Sequence, residues 1–530
     1  MSVMHHLVGG GELAEALRDL YALGQSDYSF EPVILVDRQD KPLGRIHDGD
    51  AVIFCLRRGE REVQLTEAFV DPGVGGFPRA GFQNLPFVIL TLYHEKFKDL
   101  PVAFAPTQIQ HTLAETISQA NLRQLHISES EKFAHVTFFF NGGTNQPFHG
   151  EKDLNVPSQR DAAPELCPEL RLAEVTQQVE DGMKEGYELI IVNFANGDVI
   201  GHTQSTDAKI LCAQALDHYL QQVVQAALPA GYTVLITADH GNLEELFNTD
   251  GSPNVSHTAN PVPFFLVAPN NSKPVEYSKG KLADVAPTIL SIMGIAPPAE
   301  MTGKYLIAES SNLKAKNVLL VILDGWGIGK QDETNPIYTA QTPFWDSLTQ
   351  SYPHTQLEAA GEAVGLKAGK NGNSEAGHMN LGAGRVIEQD DVRLDAAMQD
   401  GSFYSNPILH NTIREVMDRH SCLHLICLLS EKSSHGSIDY PLAVLRMAKE
   451  QGLRDVYLHV IFDGRSTEPG SAPQLLQKFE TKIREIGIGK IVTGFGRGIA
   501  LDRDGNYQKT RCAYDALVYG TGKHHRVDWD

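Results

Sequence analysis

Six short apolar runs, rich in β-branched and aromatic residues, recur along the chain with helix-like segments between them. They are YELIIVNFA (187–195), YTVLITA (232–238), NVLLVIL (317–323), LHLICLL (423–429), DVYLHVIF (455–462) and KIVTGFG (490–496). Short, mainly apolar runs rich in such residues are expected of strands. The intervening segments include DAKILCAQALDHYLQQVVQAAL (207–228) and PQLLQKFETKIREIG (473–487), which carry helical periodicity. Alternating strands and helices predict parallel sheets with crossover helices, an α/β fold class. At 530 residues the chain exceeds one ordinary core, so at least two domains are expected. No internal repeat or low-complexity tract interrupts this pattern. The polar stretch AESSNLKAKN (308–317) reads as a linker into a fresh strand.

In open α/β sheets, ligands gather beyond the carboxyl ends of the strands. The run at 187–195 is followed by NGDVIGH, which supplies Asp198 and His202. The run at 232–238 is followed by DHGN, with Asp239 and His240, and the run at 317–323 by DGWG, with Asp324. The loop NVSHTANPVPF adds His257. Any one of these alone is more often a cap or a turn. Together, three carboxylates and three imidazoles suffice for two metal ions. Mixed Asp and His donors suit manganese or zinc, whereas all-oxygen sets suit magnesium or calcium. The glycine-rich stretch GKNGNSEAGHMNLGAGR (369–385) holds one serine, Ser374, outside any G-x-S-x-G elbow. A serine hydroxyl is a weak nucleophile until a base or metal activates it, and the Asp/His set would provide that activation.

Net charge is −21, which argues against nonspecific nucleic-acid binding and makes arginine clusters conspicuous. CLRRGERE carries Arg58 and Arg61, DGRS Arg465, FGRG Arg497 and LDRD Arg503, the last three read as lying just past strands. One such arginine is usually solvated surface, but several at strand exits can clamp a phosphate or carboxylate. Lys132 in SEKFAHVTFFF and His435 in SEKSSHGS are weaker candidates, since each alone is more often structural. The six cysteines (55, 167, 212, 422, 427, 512) lack zinc-type spacing and are expected to be reduced, mostly core residues of a cytoplasmic protein. MSVMHHLVGGG lacks the charged and apolar regions of a secretory signal, and no run is long enough to span a membrane.

These motifs resemble a known family, cofactor-independent phosphoglycerate mutase of the alkaline-phosphatase-like superfamily. ILDGWG, GNSEAGHMNLGAGR, VNFANGDVIGHT, TADHGN and HTANPVPF are similar to its metal and nucleophile motifs. RQLHISESEKFAHVTFFFNGG, GDAVIFCLRRGER and ALDRDGNY are similar to further signatures, and the set spans nearly the whole chain. The order differs. The family's LDGWG strand lies near its amino terminus but begins here at 317, and its carboxyl-terminal pattern, DVAPTILSIMGIAPPAEMTGKYLI, ends here at 307. The resemblance therefore implies a circular permutation, with the cut between AEALRDLYALGQSD and ALVYGTGK. It implies a continuous phosphatase-like metal domain at 107–388 and a smaller transferase-like domain assembled from 389–530 and 1–106.

The resemblance further implies one metal on Asp198, His202 and His257. A second would be held by Asp324, Asp239, His240 and the Ser374 oxygen, with manganese as the expected metal and no 2,3-bisphosphoglycerate required. Ser374 would take the phosphoryl group from 3-phosphoglycerate and return it to the other hydroxyl. Lys132 and Arg465 would assist, and His435, Ser466, Arg497, Arg503, Arg58 and Arg61 would hold the substrate with them. A small phosphorylated substrate, no nucleic acid, no membrane and a monomeric state are expected. Two departures bear on this. DGRS stands where the family has DGRD, placing Ser466 at a substrate-handling aspartate, and LLSEKSSHGS stands where it has LLSDGGVHSH. They leave as alternatives a phosphatase, a mutase of another phosphorylated metabolite, or a noncatalytic metabolite-binding paralogue.

Overall fold

All six apolar runs form strands within a residue or two of their expected limits. The structure is a computed structural model that describes residues 8–57, 61–74, 76–106, 109–159, 163–269, 277–307, 313–352, 354–431, 433 and 435–529. In chain order the strands are β1 (Val33–Val36), β2 (Ala51–Cys55), β3 (Phe87–Thr91), β4 (Val102–Phe104), β5 (Gln124–Glu129), β6 (Glu151–Val156), β7 (Leu189–Phe194) and β8 (Tyr232–Thr237). They continue as β9 (Val262–Val267), β10 (Gly280–Lys281), β11 (Asn317–Leu323), β12 (His354–Glu358), β13 (Leu423–Leu429), β14 (Val456–Phe462), β15 (Lys490–Gly496) and β16 (Lys523–Arg526). The helix-like segments fold as Thr206–Ala227 and Ala472–Ile486. Of the expected linker, residues 308–312 lie outside the described residues, and the strand that follows begins at Asn317.

The chain divides into two units. One comprises Met1–Pro106 with Arg393–Asp530, and the other Thr107–Val392. The division at 392/393 falls inside the helix Asp390–Asp400, a few residues past the limit read from the sequence.

The sheet of the Thr107–Val392 unit has the order β10-β12-β9-β8-β11-β7-β5-β6. Its central strands β8, β11, β7 and β5 are mutually parallel, and β9 runs antiparallel to β8. The register sets Leu323 opposite Phe194 and Ile322 opposite Thr237, so the carboxyl ends of β7, β8 and β11 finish level. That alignment places the residues after each strand side by side.

The sheet of the other unit has the order β16-β1-β15-β14-β13-β2-β3-β4. The run from β15 to β4 is parallel, with Leu429 opposite Phe462 and Phe462 opposite Gly496. Its strand β13 shows why a continuous apolar run was needed. Leu423, Leu425, Cys427 and Leu429 join one apolar core, while Ile426 and Leu428 join a second on the opposite face. Each such side chain, fully buried, contributes about 1.5–3 kcal/mol.

The cysteine expectation needs correction. All six are free thiols, but only Cys55, Cys212 and Cys427 are buried; Cys167 and Cys422 are half-buried and Cys512 is exposed. Cys512 lies on the solvent side of the helix Tyr507–Tyr519, where helical periodicity rather than local hydropathy decides burial. No helix among the described residues is long and apolar enough to cross a membrane.

Candidate metal centre and nucleophile

The level ends of the parallel strands bring five loops to one edge of the Thr107–Val392 unit. After β7 the chain enters the short helix Asn196–Gly201, which carries Asp198 and is capped by His202. Asp239 and His240 follow β8, Asp324 follows β11, and Lys132 follows β5 ahead of a turn of π-helix at His135–Phe139. His257 precedes β9, which begins at this same edge because it is antiparallel to β8. Ser374 opens the helix Ser374–Ala383, whose first turn is capped by Asn373 Oδ1 accepting from the Ala376 amide at 2.9 Å. Gly377 lets that helix approach, since a Cβ there would stand 2.6 Å from the Asp239 carbonyl oxygen. Gly325 has φ +77°, and its Cβ would meet the Asp198 amide at 2.7 Å, so the turn after Asp324 requires glycine.

Lys132 lies at the centre. Its ammonium donates to Asp198 Oδ2 at 2.7 Å, Asp324 Oδ1 at 2.7 Å and Ser374 Oγ at 2.6 Å. It is buried, so it is not a solvated surface lysine. Burial alone would lower its pKa, but Asp198, Asp324 and Asp239 outweigh burial and hold the ammonium charged. Burial likewise opposes ionisation of Asp198, yet Lys132 and the neighbouring histidines keep that carboxyl well below its usual range. Asp239 is also lowered against burial, by His240, His378 and Lys132. Asp324 is pushed up, by burial and then by the charge of Asp239.

The histidines are arranged as metal ligands require. His202 Nδ1 faces the Val255 carbonyl at 2.8 Å, His257 Nδ1 the Gly372 carbonyl at 2.9 Å and His240 Nδ1 the Gly241 carbonyl at 3.2 Å. A ring N–H donating to each carbonyl leaves the lone pair on Nε2. Those Nε2 atoms converge on carboxylates. His202 and His257 Nε2 lie 3.1 Å apart, and 3.2 and 3.0 Å from Asp198 Oδ1. His240 Nε2 lies 3.4 Å from Asp239 Oδ2 and 3.5 Å from Asp324 Oδ1. Three acceptors meeting within 3.2 Å call for a cation between them. Asp239 Oδ2 is buried and has no hydrogen-bond donor among the described residues. Asp198, His240 and His257 form one group of converging donors, and Asp239, His240 and Asp324 another. Aspartate and imidazole donors in these numbers fit divalent cations.

Three residues absent from the sequence reading complete the centre. Asn193 donates to Asp324 Oδ2 at 2.6 Å, and Asn242 to Asp198 Oδ1 at 2.9 Å. His378 Nδ1 donates to the Ser374 carbonyl at 2.9 Å, which leaves its Nε2 to accept from Asn193 at 3.0 Å. All three stand inside motifs quoted above, two to five residues from a named ligand or nucleophile.

In the other unit, adjacent parallel strands again end together, in the order β15-β14-β13-β2. Arg497 follows β15 and is buried in an ion pair with Asp463. Arg465 and Ser466 follow β14 and are exposed. Arg61 follows β2, is buried, and donates to the Leu501 carbonyl at 3.1 Å; Arg58 lies outside the described residues. Arg503 is exposed and follows the short helix Arg497–Ala500 rather than a strand, which corrects the sequence reading. His435, on the loop after β13, sets Nδ1 2.8 Å from Oε1 of the buried Glu62. Glu62 was not anticipated. Nothing in its spacing marks it, because its partner lies far away in sequence.

Comparison with known proteins adds to this geometry. Residues 23–297 match the model of the Metalloenzyme superfamily, and residues 394–529 match the model of the BPG-independent PGAM N-terminus. A 2,3-bisphosphoglycerate-independent phosphoglycerate mutase of Moorella thermoacetica is 42% identical over 297 residues, covering 56% of this chain and 57% of the relative. The protein of that name from Thermomicrobium roseum is 43% identical over 305 residues, covering 56% and 58%. A crystal structure of Leishmania mexicana phosphoglycerate mutase at low cobalt concentration aligns at 29% identity and TM-score 0.43, covering 51% of this chain and 53% of that one. The chain thus spans just over half the length of the curated relatives it matches.

Proposed function

The chain belongs to the Metalloenzyme superfamily, and on that premise we propose that it interconverts 3-phosphoglycerate and 2-phosphoglycerate through a phosphoserine at Ser374. The observation that carries this reading is the position of Ser374 Oγ. It lies 2.6 Å from the Lys132 ammonium and 2.8 Å from His240 Nε2, at the start of a ten-residue helix. Two divalent ions, manganese on the chemistry of the donor set, would be held by Asp198, His202 and His257 and by Asp239, His240, Asp324 and Ser374. When bound they supply Lewis-acid polarisation of a phosphoryl group and a lowered hydroxyl pKa.

The chain's own residues account for the rest. Lys132 donates to Oγ, so the Ser374 proton is directed toward Asp324 Oδ1 at 3.4 Å. Oγ attacks phosphorus as the bond from phosphorus to the glycerate oxygen breaks. Lys132 balances the charge that develops on the phosphoryl oxygens. The positive end of the helix Ser374–Ala383 favours the resulting phosphoserine. The other glycerate hydroxyl then takes the group back, which makes the reaction an intramolecular phosphotransfer with no need of 2,3-bisphosphoglycerate. Arg465, Arg497, Arg503, Arg58, Arg61, Ser466 and His435 are proposed to bind the substrate.

We read the segment order as permuted and the protein as a cytoplasmic monomer. The permutation is supported by the model named for a family's amino-terminal portion, which here matches residues 394–529, after the superfamily match at 23–297. It is also supported by a unit built from the two ends of the chain. The exposed Ser466, which offers no carboxylate, favours one second reading, a phosphatase. The deciding experiment supplies 3-phosphoglycerate to the manganese-loaded protein and follows 2-phosphoglycerate and free phosphate separately. Formation of 2-phosphoglycerate supports the mutase, phosphate alone supports the phosphatase, and neither product overturns both.

A further inference from the structure

We propose that Glu244 is a positioning residue of the metal centre, whose buried carboxylate fastens the loop bearing His257 to the loops that follow β8 and β11. The proposal rests on the reading of this centre as a site for two divalent cations, and it names the group that keeps their ligands in register. Glu244 belongs to the loop after β8, a few residues past His240, and is 2% exposed.

Its carboxylate is met by donors from three loops. Oε2 accepts from the Asn242 amide at 2.8 Å and from the Gly327 amide at 3.1 Å. Oε1 accepts from Asn260 Nδ2 at 2.8 Å and from the Thr258 hydroxyl. Asn242 lies in the loop after β8, Gly327 in the loop after β11, and Thr258 and Asn260 in the loop ahead of β9. Those loops carry Asp239 and His240, Asp324, and His257 respectively. The backbone is shaped to admit the side chain. A Cβ on Gly327 would stand 2.6 Å from Oε2, and one on Gly241 would overlap Oε1. An ionised carboxylate accepts through both oxygens and donates nothing, so it can close all of these bonds at once, which the amide of glutamine cannot.

The two sides of the carboxylate converge on one ligand set. Thr258 follows His257 directly; its amide donates to the Gly241 carbonyl at 2.9 Å, and its carbonyl accepts from the Gly372 amide at 3.3 Å. The Gly372 carbonyl in turn faces His257 Nδ1 at 2.9 Å, so the Oε1 side fixes the direction of His257 Nε2. On the Oε2 side, the held Asn242 donates from its side chain to Asp198 Oδ1 at 2.9 Å. Asp198 and His257 belong to the ligand set that His202 completes. Glutamine at 244 would keep the shape and one acceptor oxygen. The two backbone amides cannot turn away, so that oxygen would face them and the new NH2 group would face Asn260 and Thr258. The tie to the His257 loop would be lost, while the tie between the loops after β8 and β11 would remain.

The test titrates manganese into the full-length protein without substrate and follows the free ion by electron paramagnetic resonance. His202→Ala removes a ligand of one ion only and so identifies that ion's step in the titration. Glu244→Gln is expected to weaken this step about 10- to 100-fold, the usual cost of losing a group that orients a metal ligand, and to change the other step far less. Thr258→Val deletes one donor to Oε1 and should weaken the same step; Thr258→Ser restores the hydroxyl and should recover it. Affinities in Glu244→Gln that match wild type at both steps would overturn the proposal. An equal loss at both steps would overturn it too, since a merely structural role loosens the whole centre. Wild type that binds fewer than two ions would overturn the two-cation reading and this proposal with it. No turnover is measured, so the result stands whether or not phosphoglycerate is the substrate. If Glu244→Gln fails to fold by circular dichroism, the Thr258→Val and Thr258→Ser proteins decide by the same titration.

Discussion

Replacing Lys132 with methionine would keep the aliphatic stem and delete the ammonium. The structure sets the size of the effect. Two carboxylates, with side chains only 9% and 0% exposed, each lie 2.7 Å from Nζ and would lose their nearest cation. Leaving buried charges unpaired in this way costs about 3–5 kcal/mol. For a unit of this size, with about 2–4 °C lost per kcal/mol, the metal-free melting temperature should fall by roughly 10 °C. The effect has a pH signature. The Asp198 carboxyl is depressed in the folded protein, so its stabilisation is complete above its unfolded pKa and is lost as pH falls toward the folded value. The gap between wild type and Lys132→Met should therefore be widest at neutral pH and should narrow below about pH 4. Adding manganese should also narrow it, because bound cations neutralise the same carboxylates. Turnover should nonetheless stay low, because the charge facing Ser374 Oγ is gone. Scanning calorimetry in chelator and in manganese, paired with an isomerisation assay, measures all of this. Melting temperatures within 2 °C in chelator, or wild-type turnover in the variant, would refute the account of Lys132 as the charge that holds this centre together.

Ser374→Ala should fold normally and lose turnover, and mass spectrometry of quenched wild type should place phosphate on Ser374; phosphate elsewhere would reject the assignment. Chelation should abolish activity and manganese restore it, with affinity falling as pH drops because His202, His240 and His257 must be neutral to ligate; isothermal titration at pH 8 and pH 5.5 would show this, and equal affinities would count against histidine ligation. Lys209 donates to the Asn254 carbonyl at 2.7 Å in the loop leading to His257, and burial lowers its pKa to about 8. The unfolded chain therefore binds one more proton between about pH 8 and about pH 10.4, so stability should rise with pH across that window. Urea midpoints should show this rise in wild type and not in Lys209→Met; parallel curves would exclude it.

The strands were legible because parallel strands buried on both faces carry few polar positions, and β13, β15 and β11 begin and end where their apolar runs do. The metal candidates were legible for a related reason. Asp198, Asp239 and Asp324 follow strands whose ends finish level, so reading the residue after each run amounts to reading one edge of the sheet. Asn193 was not legible because it sits inside an apolar run, where only the three-dimensional register shows its amide meeting Asp324. Arg503 was misplaced because the local sequence does not show the helical turn Arg497–Ala500 that separates it from β15. Glu62 was hidden by distance along the chain, since its contact with His435 joins residues 373 apart.

The two strand-end clusters carry opposite electrostatic demands. In the Thr107–Val392 unit, three aspartates and one lysine leave a formal charge of −2 around Ser374 (3 carboxylates less 1 ammonium). A phosphoryl group would be repelled from such a place unless cations entered first, so phosphate affinity here should depend on metal rather than merely accompany it. In the other unit, arginines collect at strand ends in a chain whose net charge is −21. Part of that positive charge is already spoken for, as the buried Arg497–Asp463 pair shows. The exposed Arg465 carries positive charge toward solvent, where long-range attraction acts on anions and weakens with salt.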